Sequence, residues 1–303
     1  MTIQALPYIT LLGFFFGSTL VVSRFSVGQF HPTTYIGLRM LLASVGYVIL
    51  YTAAPHRFKW PRGRQLWRHA TLLGVIGTAI PMTAVVTSLL YQSSGVTAIL
   101  LTCGPAVTVL MAHFGLPDER LNWRKTGGIA LALAGAMVLA LRGESGLPNV
   151  SQASPVGYIL VFVGIACGSA MTIYARKFMR GYDSVEVSSI RMFVAALVIM
   201  PVSVIFVGLD LQNVDSQGYV ALVYAALVGT FAGFLLAFHN VKRFGATTAA
   251  MVLYITPIVA ALAGIVVLGE TISTGMLVGT ILIVIGIALI NQREQGAVAA
   301  ESK

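Results

Sequence analysis

Charge is scarce in this sequence. Its 303 residues include 19 Lys and Arg and 10 Asp and Glu, so 10% of positions are charged, where a soluble domain has about 25%. The apolar set reaches 57% and the mean hydropathy is +0.87. The few polar residues left could not coat a water-soluble fold of that composition, which excludes a cytosolic enzyme and a disordered chain. Only two cysteines occur, Cys103 and Cys167, both inside apolar runs, so a disulfide scaffold is excluded and each is expected to pack as a small apolar residue. No Asp or Glu falls in the middle of an apolar run. The carboxylate relay of a proton-driven pump is therefore missing, and a bare cation would find no acid at depth. HExxH, GxSxG, Walker and GxGxxG motifs are absent, as is any Cys/His/acid cluster at metal spacing. No metal, cofactor, catalytic residue or enzymatic activity is expected. The net charge of +9 does not point to nucleic acid either, because the basic residues fall in short gaps between apolar runs rather than on one surface.

What the sequence does have is long apolar runs. A membrane-spanning helix needs about 20 such residues, and ten segments qualify: 7–27, 34–53, 70–91, 95–114, 124–141, 155–175, 185–207, 217–240, 246–268 and 272–291. The expected fold is an all-α integral membrane protein. Met1 to Leu6 contains no Lys or Arg, so the first run is expected to be a span rather than a cleaved leader. The linker 142–154 divides the chain into five-helix halves, 7–142 and 155–292, followed by a polar tail over 293–303.

The halves repeat each other at a steady offset of 151–152. Gly17-Ser18 returns as Gly168-Ser169, Leu38-Arg39-Met40 as Ile190-Arg191-Met192, and Gly77-Thr78 as Gly229-Thr230. Pro105 returns as Pro257, Glu119 as Glu270, and Gly128 with Gly135 as Gly279 with Gly286. An odd number of helices per copy starts the second copy on the opposite side of the membrane, so the repeats are inverted, the plan of many secondary transporters. Fifteen of the 19 Lys and Arg fall in the loops and tail on the N-terminal side, Arg24 and Arg142 on the other side, and Arg39 and Arg191 within spans. Both termini are therefore expected in the cytoplasm.

Helix breakers recur at mid-span in both halves: Pro81 with Gly233, and Pro105 with Pro257. Each proline withholds an N–H from a carbonyl one turn earlier, here Gly77, Leu101 and Leu253. Matching interruptions in two repeats mark a transporter's binding site, so these four positions are expected hinges. Phe16, Ser18, Thr78, Met82, Thr97, Thr102, Ser169, Thr230, Phe231 and Tyr254 surround them. They are expected to form a substrate cavity in which carbonyls and hydroxyls hold a small zwitterion without a fixed charge, with rings and Met covering its side chain. Gly275-x-x-x-Gly279 and Gly128 with Ala132 are small-residue pairs that let spans 5 and 10 approach closely as scaffold. The two intramembrane arginines are expected to form ion pairs, Arg39 with Glu270 on the outside and Arg191 with Asp118 or Glu119 on the inside. Snorkelling of both to the headgroups is the alternative.

One segment is distinctive: Tyr254-Ile-Thr-Pro257, then Val267-Leu-Gly269-Glu270-Thr271-Ile272, then Gly279 and Gly286, with a looser copy in Leu90-Tyr91-Gln92, Gly104-Pro105, Glu119-Arg-Leu and Gly128. Over residues 7–291 the chain resembles the ten-helix EamA-type exporters of the drug/metabolite transporter superfamily, most of all the YddG-type exporters of aromatic and other amino acids. Phe16-Gly17 stands where many members have Trp-Gly. The resemblance implies a cavity lined by spans 1, 3, 4, 6, 8 and 9, alternating access, and export of amino acids from a bacterial inner membrane. Exporters of nucleosides, lipophilic cations or other small metabolites are the alternative. The expected partners are a small-molecule substrate, an amino acid, and membrane lipids, with no nucleic acid; a monomer is favoured over a dimer, and the sequence does not fix the oligomeric state.

Overall fold

The computed structural model describes residues 3–116, 121–148, 150, 152–209 and 211–291. Ten helical spans follow one another: α1 Leu6–Ser26, α2 Pro32–Ala53, α3 Arg64–Ser88, α4 Ser94–Gly115, α5 Trp123–Arg142, α6 Pro155–Phe178, α7 Ser184–Phe206, α8 Ser216–Phe244, α9 Val252–Leu268 and α10 Thr274–Asn291. Among the described residues nine are long and apolar enough to cross a bilayer, while α9 has 17 residues and is preceded by the one-turn helix Ala246–Ala249. Large apolar side chains cover the outside, with Val266, Leu141 and Phe206 about four-fifths exposed, as a lipid-facing surface requires. The protein is an all-α, multi-pass membrane protein.

Local chemistry sets the helix ends. Polar side chains at the N-caps accept the orphan backbone N–H groups of the first turn: Ser93 Oγ from Val96, Asn122 Oδ1 from Lys125, Asp183 Oδ1 from Val185 and Asp215 Oδ1 from Gly218. Pro32 and Pro155 open α2 and α6 where no intrahelical donor is needed. Gly143 and Gly269 stop α5 and α9 in the left-handed conformation.

Packing between helices shows the inverted repeat directly. In α5 and α10, a Cβ on Gly128 would lie 2.6 Å from the Gly286 carbonyl oxygen, and one on Gly135 would lie 2.7 Å from that of Gly279. Gly128 and Gly135 are the repeat mates of Gly279 and Gly286, so each contact is the image of the other. The backbones meet there because no side chain intervenes.

The breakers act unequally. Both α3 and α8 contain a π-helical stretch, Val75–Ala79 and Ala225–Ala232, ending next to Pro81 and at Gly233. In α4 the helix breaks at Thr102 and Cys103 and resumes at Gly104, beside Pro105. Pro257, expected to be the matching hinge, lies inside unbroken helix, and the second-half break is at Ala250 and Met251 instead. The neighbour explains the difference: Gly104 precedes Pro105, whereas Thr256 precedes Pro257 and bonds its hydroxyl back to the Val252 carbonyl at 2.9 Å.

Candidate functional site

The π-helical stretches hold the two intramembrane arginines. Arg39 Nε of α2 donates to Thr230 Oγ1 of α8 at 2.8 Å, and Arg191 Nε of α7 donates to Thr78 Oγ1 of α3 at 3.0 Å. Arg39 and Arg191 are repeat mates, as are Thr78 and Thr230, so this contact too is its own image. Each threonine hydroxyl in turn donates to the carbonyl five residues back, Leu73 or Ala225, across the widened π turn. Arg39 adds a bond from Nη1 to Ser23 Oγ of α1 at 3.3 Å, and Arg191 one from Nη2 to the Gly77 carbonyl at 3.0 Å. Gly77 lies within the π-helical stretch, four residues before Pro81.

These bonds correct the expected ion pairs. Arg39 meets neutral hydroxyls, not Glu270. The Glu270 carboxylate instead receives Ser94 N, Ser94 Oγ and Gly95 N. Backbone donors and the helix dipole at the start of α4 attract it more closely than a side chain one helix away. Asp118 and Glu119, named for Arg191, lie outside the described residues. A charged side chain at bilayer depth costs about 2.5–3.5 kcal/mol on insertion scales, so two arginines held by neutral groups are notable.

A cavity of about 660 Å³ opens beside Arg191. Its wall runs along α3 from Leu73 to Gly77, along α4 from Leu101 to Val109, along α6 from Ile165 to Ala175, and includes Arg191 of α7. It therefore extends from mid-span toward the face where α1 begins. Hydroxyls of Thr108, Ser169 and Thr172 line it, with Pro105, Gly104 and Gly168. Thr108 Oγ1 donates to the Gly104 carbonyl at 2.8 Å and lies at hydrogen-bond distance, 2.9 Å, from Ser169 Oγ. No acid is among its lining residues.

Beside Arg39 the described residues of the second half are closely packed. A Cβ on Gly17 of α1 would lie 2.7 Å from the Thr256 carbonyl oxygen of α9. At its mate Gly168 of α6, nothing stands within 4 Å, and the same holds at Gly104, the mate of Thr256. The α1–α9 seam is packed backbone to backbone at Gly17, while at the corresponding α6–α4 seam Ser169 holds Thr108 and the Gly104 carbonyl and space is left at Gly168 and Gly104. Arg39 is 5% exposed inside the shut side.

The residues expected to form the cavity are distributed accordingly. Ser169 and Pro105 line it, and Thr78 sits behind Arg191. Phe16 packs against Phe234 at 6.5 Å between ring centres, and Phe231 against Tyr47 at 5.0 Å. Ser18 bonds Tyr224 at 2.8 Å, Thr97 accepts from Gln92, and Thr102 donates to the Ile99 carbonyl. Tyr254 accepts from Asn291, Thr230 holds Arg39, and Met82 packs beside the Tyr47 cluster. Spans 1, 8 and 9 do not line this cavity and α7 does, through a fixed charge that the zwitterion reading lacked. Thr108, Thr172 and Arg191 were missed as lining residues. The signal available for Arg191 was its rarity, one of two arginines inside the spans.

The fold matches a solved crystal structure with a TM-score of 0.64, at 19% identity over 95% of this chain and 96% of that one. An "Uncharacterized transporter" of Archaeoglobus fulgidus is 23% identical over 91% of this chain and 94% of its own length. The "Uncharacterized inner membrane transporter YedA" of Escherichia coli is 29% identical over 85% and 80%. A "Probable terminal-alkyne amino-acid exporter" of Streptantibioticus cattleyicolor is 26% identical over 85% and 83%. The EamA-like transporter family model matches twice, over residues 4–141 and 155–292. This chain is therefore a membrane transporter, not an enzyme, and belongs to the EamA-like transporter family.

Proposed function

We propose that this protein exports neutral and aromatic amino acids across a bacterial inner membrane by alternating access. The observation that carries the reading is the unequal state of two equivalent seams: Gly17 closes on Thr256, while Gly168 and Gly104, the mates of those residues, border the open cavity. An inverted repeat in which each half can adopt the other's arrangement has an opening on either face, and exchange between the two moves a bound solute across. The basic loops support placing both termini, and the face toward which this cavity extends, in the cytoplasm. A 660 Å³ space suits a small molecule. The amino-acid substrate is supported by the exporter relative and by a lining that joins hydroxyls to an apolar wall. Phe16, Phe231 and Tyr254 belong to the same proposal as contacts of the opposite state.

The test is counterflow in proteoliposomes with labelled neutral and aromatic amino acids, nucleosides and lipophilic cations. Flux of one or more amino acids, abolished by ionophore-independent denaturation and competed by unlabelled substrate, is expected. Nucleoside or cation flux with no amino-acid flux would replace the substrate reading.

A further inference from the structure

We propose that Arg191 is the anion-binding group of the open cavity and receives the carboxylate of the transported molecule. The inference rests on the amino-acid reading above and specifies which side chain recognises which end of such a molecule.

Beyond the shared threonine contact, the two arginines differ in what they reach. On the shut side, Arg39 joins three helices, its own α2, α8 through Thr230 and α1 through Ser23. The mate of Ser23 is Tyr174 of α6, whose hydroxyl meets His69 Nδ1 at 2.6 Å rather than Arg191. The hydrogen bonds of Arg191 among the described residues thus join α7 to α3. The gap where its third helix would close is the cavity, whose α6 wall includes Met171, Thr172 and Ala175.

A guanidinium has five N–H donors in a planar fork. Arg191 gives one to Thr78 and one to the Gly77 carbonyl, both neutral groups, so its charge is uncompensated among the described residues. Its other contact is the Phe234 ring, whose centre is 5.8 Å from Cζ. The acids nearest in sequence, Asp183 and Glu186, line a separate space with Arg57, Lys59 and Lys242. A forked donor set facing a cavity matches a carboxylate, which can accept two parallel bonds. The opposite pole is also present. Leu101 lines the same cavity, and Pro105 has no N–H to offer its carbonyl, so that oxygen is available to an ammonium group.

The experiment uses purified full-length protein in nanodiscs and in proteoliposomes. Binding and counterflow are measured for leucine and phenylalanine, for their amides, for the amines lacking the carboxylate, and for the hydroxy acids lacking the ammonium. The expected result is that amides and amines bind at least tenfold more weakly than the amino acids. Arg191→Gln is expected to raise the half-saturating concentration of the amino acids by ten- to a hundredfold and to erase the discrimination between acid and amide, with Arg191→Lys restoring part of both. A structural role alone would lower the yield of folded protein without changing that ratio. If Arg191→Gln does not fold, Thr172→Cys in a Cys167→Ala background keeps Arg191 intact, and amino acids but not amines are expected to slow its alkylation.

Equal binding of acids, amides and amines, or an unchanged acid-to-amide ratio in Arg191→Gln, overturns the proposal. If the wild type moves no amino acid but binds hydroxy acids through Arg191, the anion site stands and the amino-acid reading falls. If it binds no carboxylate at all, both fall.

Discussion

The Glu270 carboxylate caps the first turn of α4, accepting from Ser94 N at 2.8 Å, Ser94 Oγ at 2.7 Å and Gly95 N at 3.3 Å. It comes from the corner between α9 and α10, in the other repeat, so it ties the two halves together on the face away from the open cavity. Glu270 is buried there, at the edge of a smaller space lined by Arg24, Leu147 and Leu268. A hydrogen bond involving a charged group contributes about 1.5–3 kcal/mol, enough to shift a two-state equilibrium about ten- to a hundredfold. Glu270→Gln is expected to loosen that face. The measurement is the alkylation rate of a cysteine introduced at Leu268, using a membrane-impermeant maleimide. A several-fold faster reaction in Glu270→Gln is expected, and an unchanged rate would show that the cap does not hold the face shut.

The repeat and the spans were legible in the sequence because they rest on pairs such as Arg39 with Arg191 and on runs that only a bilayer can house. The partner of Glu270 was not, because its donors are mostly backbone N–H groups, which every helix possesses and no side-chain pattern announces. Nor could Gly17 and Gly168 be told apart. They are equivalent in sequence, and which of two equivalent seams is shut is a property of a conformation, not of a residue. The rarity of Arg39 and Arg191 is plain in the sequence, but charge pairing points to acidic partners there. The hydroxyl partners, Thr78 and Thr230, became available through the π-helical turns of α3 and α8 that seat them.

The two glycine mates give a contrast within one molecule. A methyl at Gly17 meets the Thr256 carbonyl and Val259 Cβ, both at 2.7 Å, and backbone cannot yield easily. Overpacking of this kind costs about 1–3 kcal/mol. A methyl at Gly168 enters open space. Thermal unfolding in detergent is expected to fall by several degrees for Gly17→Ala and to stay near wild type for Gly168→Ala. Equal losses in both would mean that the two seams are equally closed in solution.

The α5–α10 seam should behave as scaffold. Gly135→Ala would place its methyl 2.7 Å from the Gly279 oxygen and 2.8 Å from Ile283 Cγ1, so the helices must separate. Lower thermal stability is expected, with the half-saturating substrate concentration of the surviving protein unchanged within twofold. Substrate-selective changes from this variant would place the seam in the transport path instead.

The prolines allow a final comparison, between residues that are mates in sequence but not in structure. Pro105 stands beside a real break in α4 and lines the cavity, with Leu101 one turn before it. Alanine there supplies the N–H that the Leu101 carbonyl lacks and lets Ser94–Leu101 and Gly104–Gly115 join into one helix. Straightening α4 would swing its cavity wall against α6, where Ser169 and Thr108 now touch. Pro257 sits within continuous helix, so alanine adds a backbone bond without changing the course of α9. Initial counterflow rates, corrected for the amount of folded protein, are therefore expected to fall at least tenfold for Pro105→Ala and by no more than about twofold for Pro257→Ala, a tenfold rate change being about 1.4 kcal/mol in barrier height. A larger loss at Pro257 would mean that the hinge of the second half lies at the proline and that the break at Ala250 and Met251 plays no part in the motion.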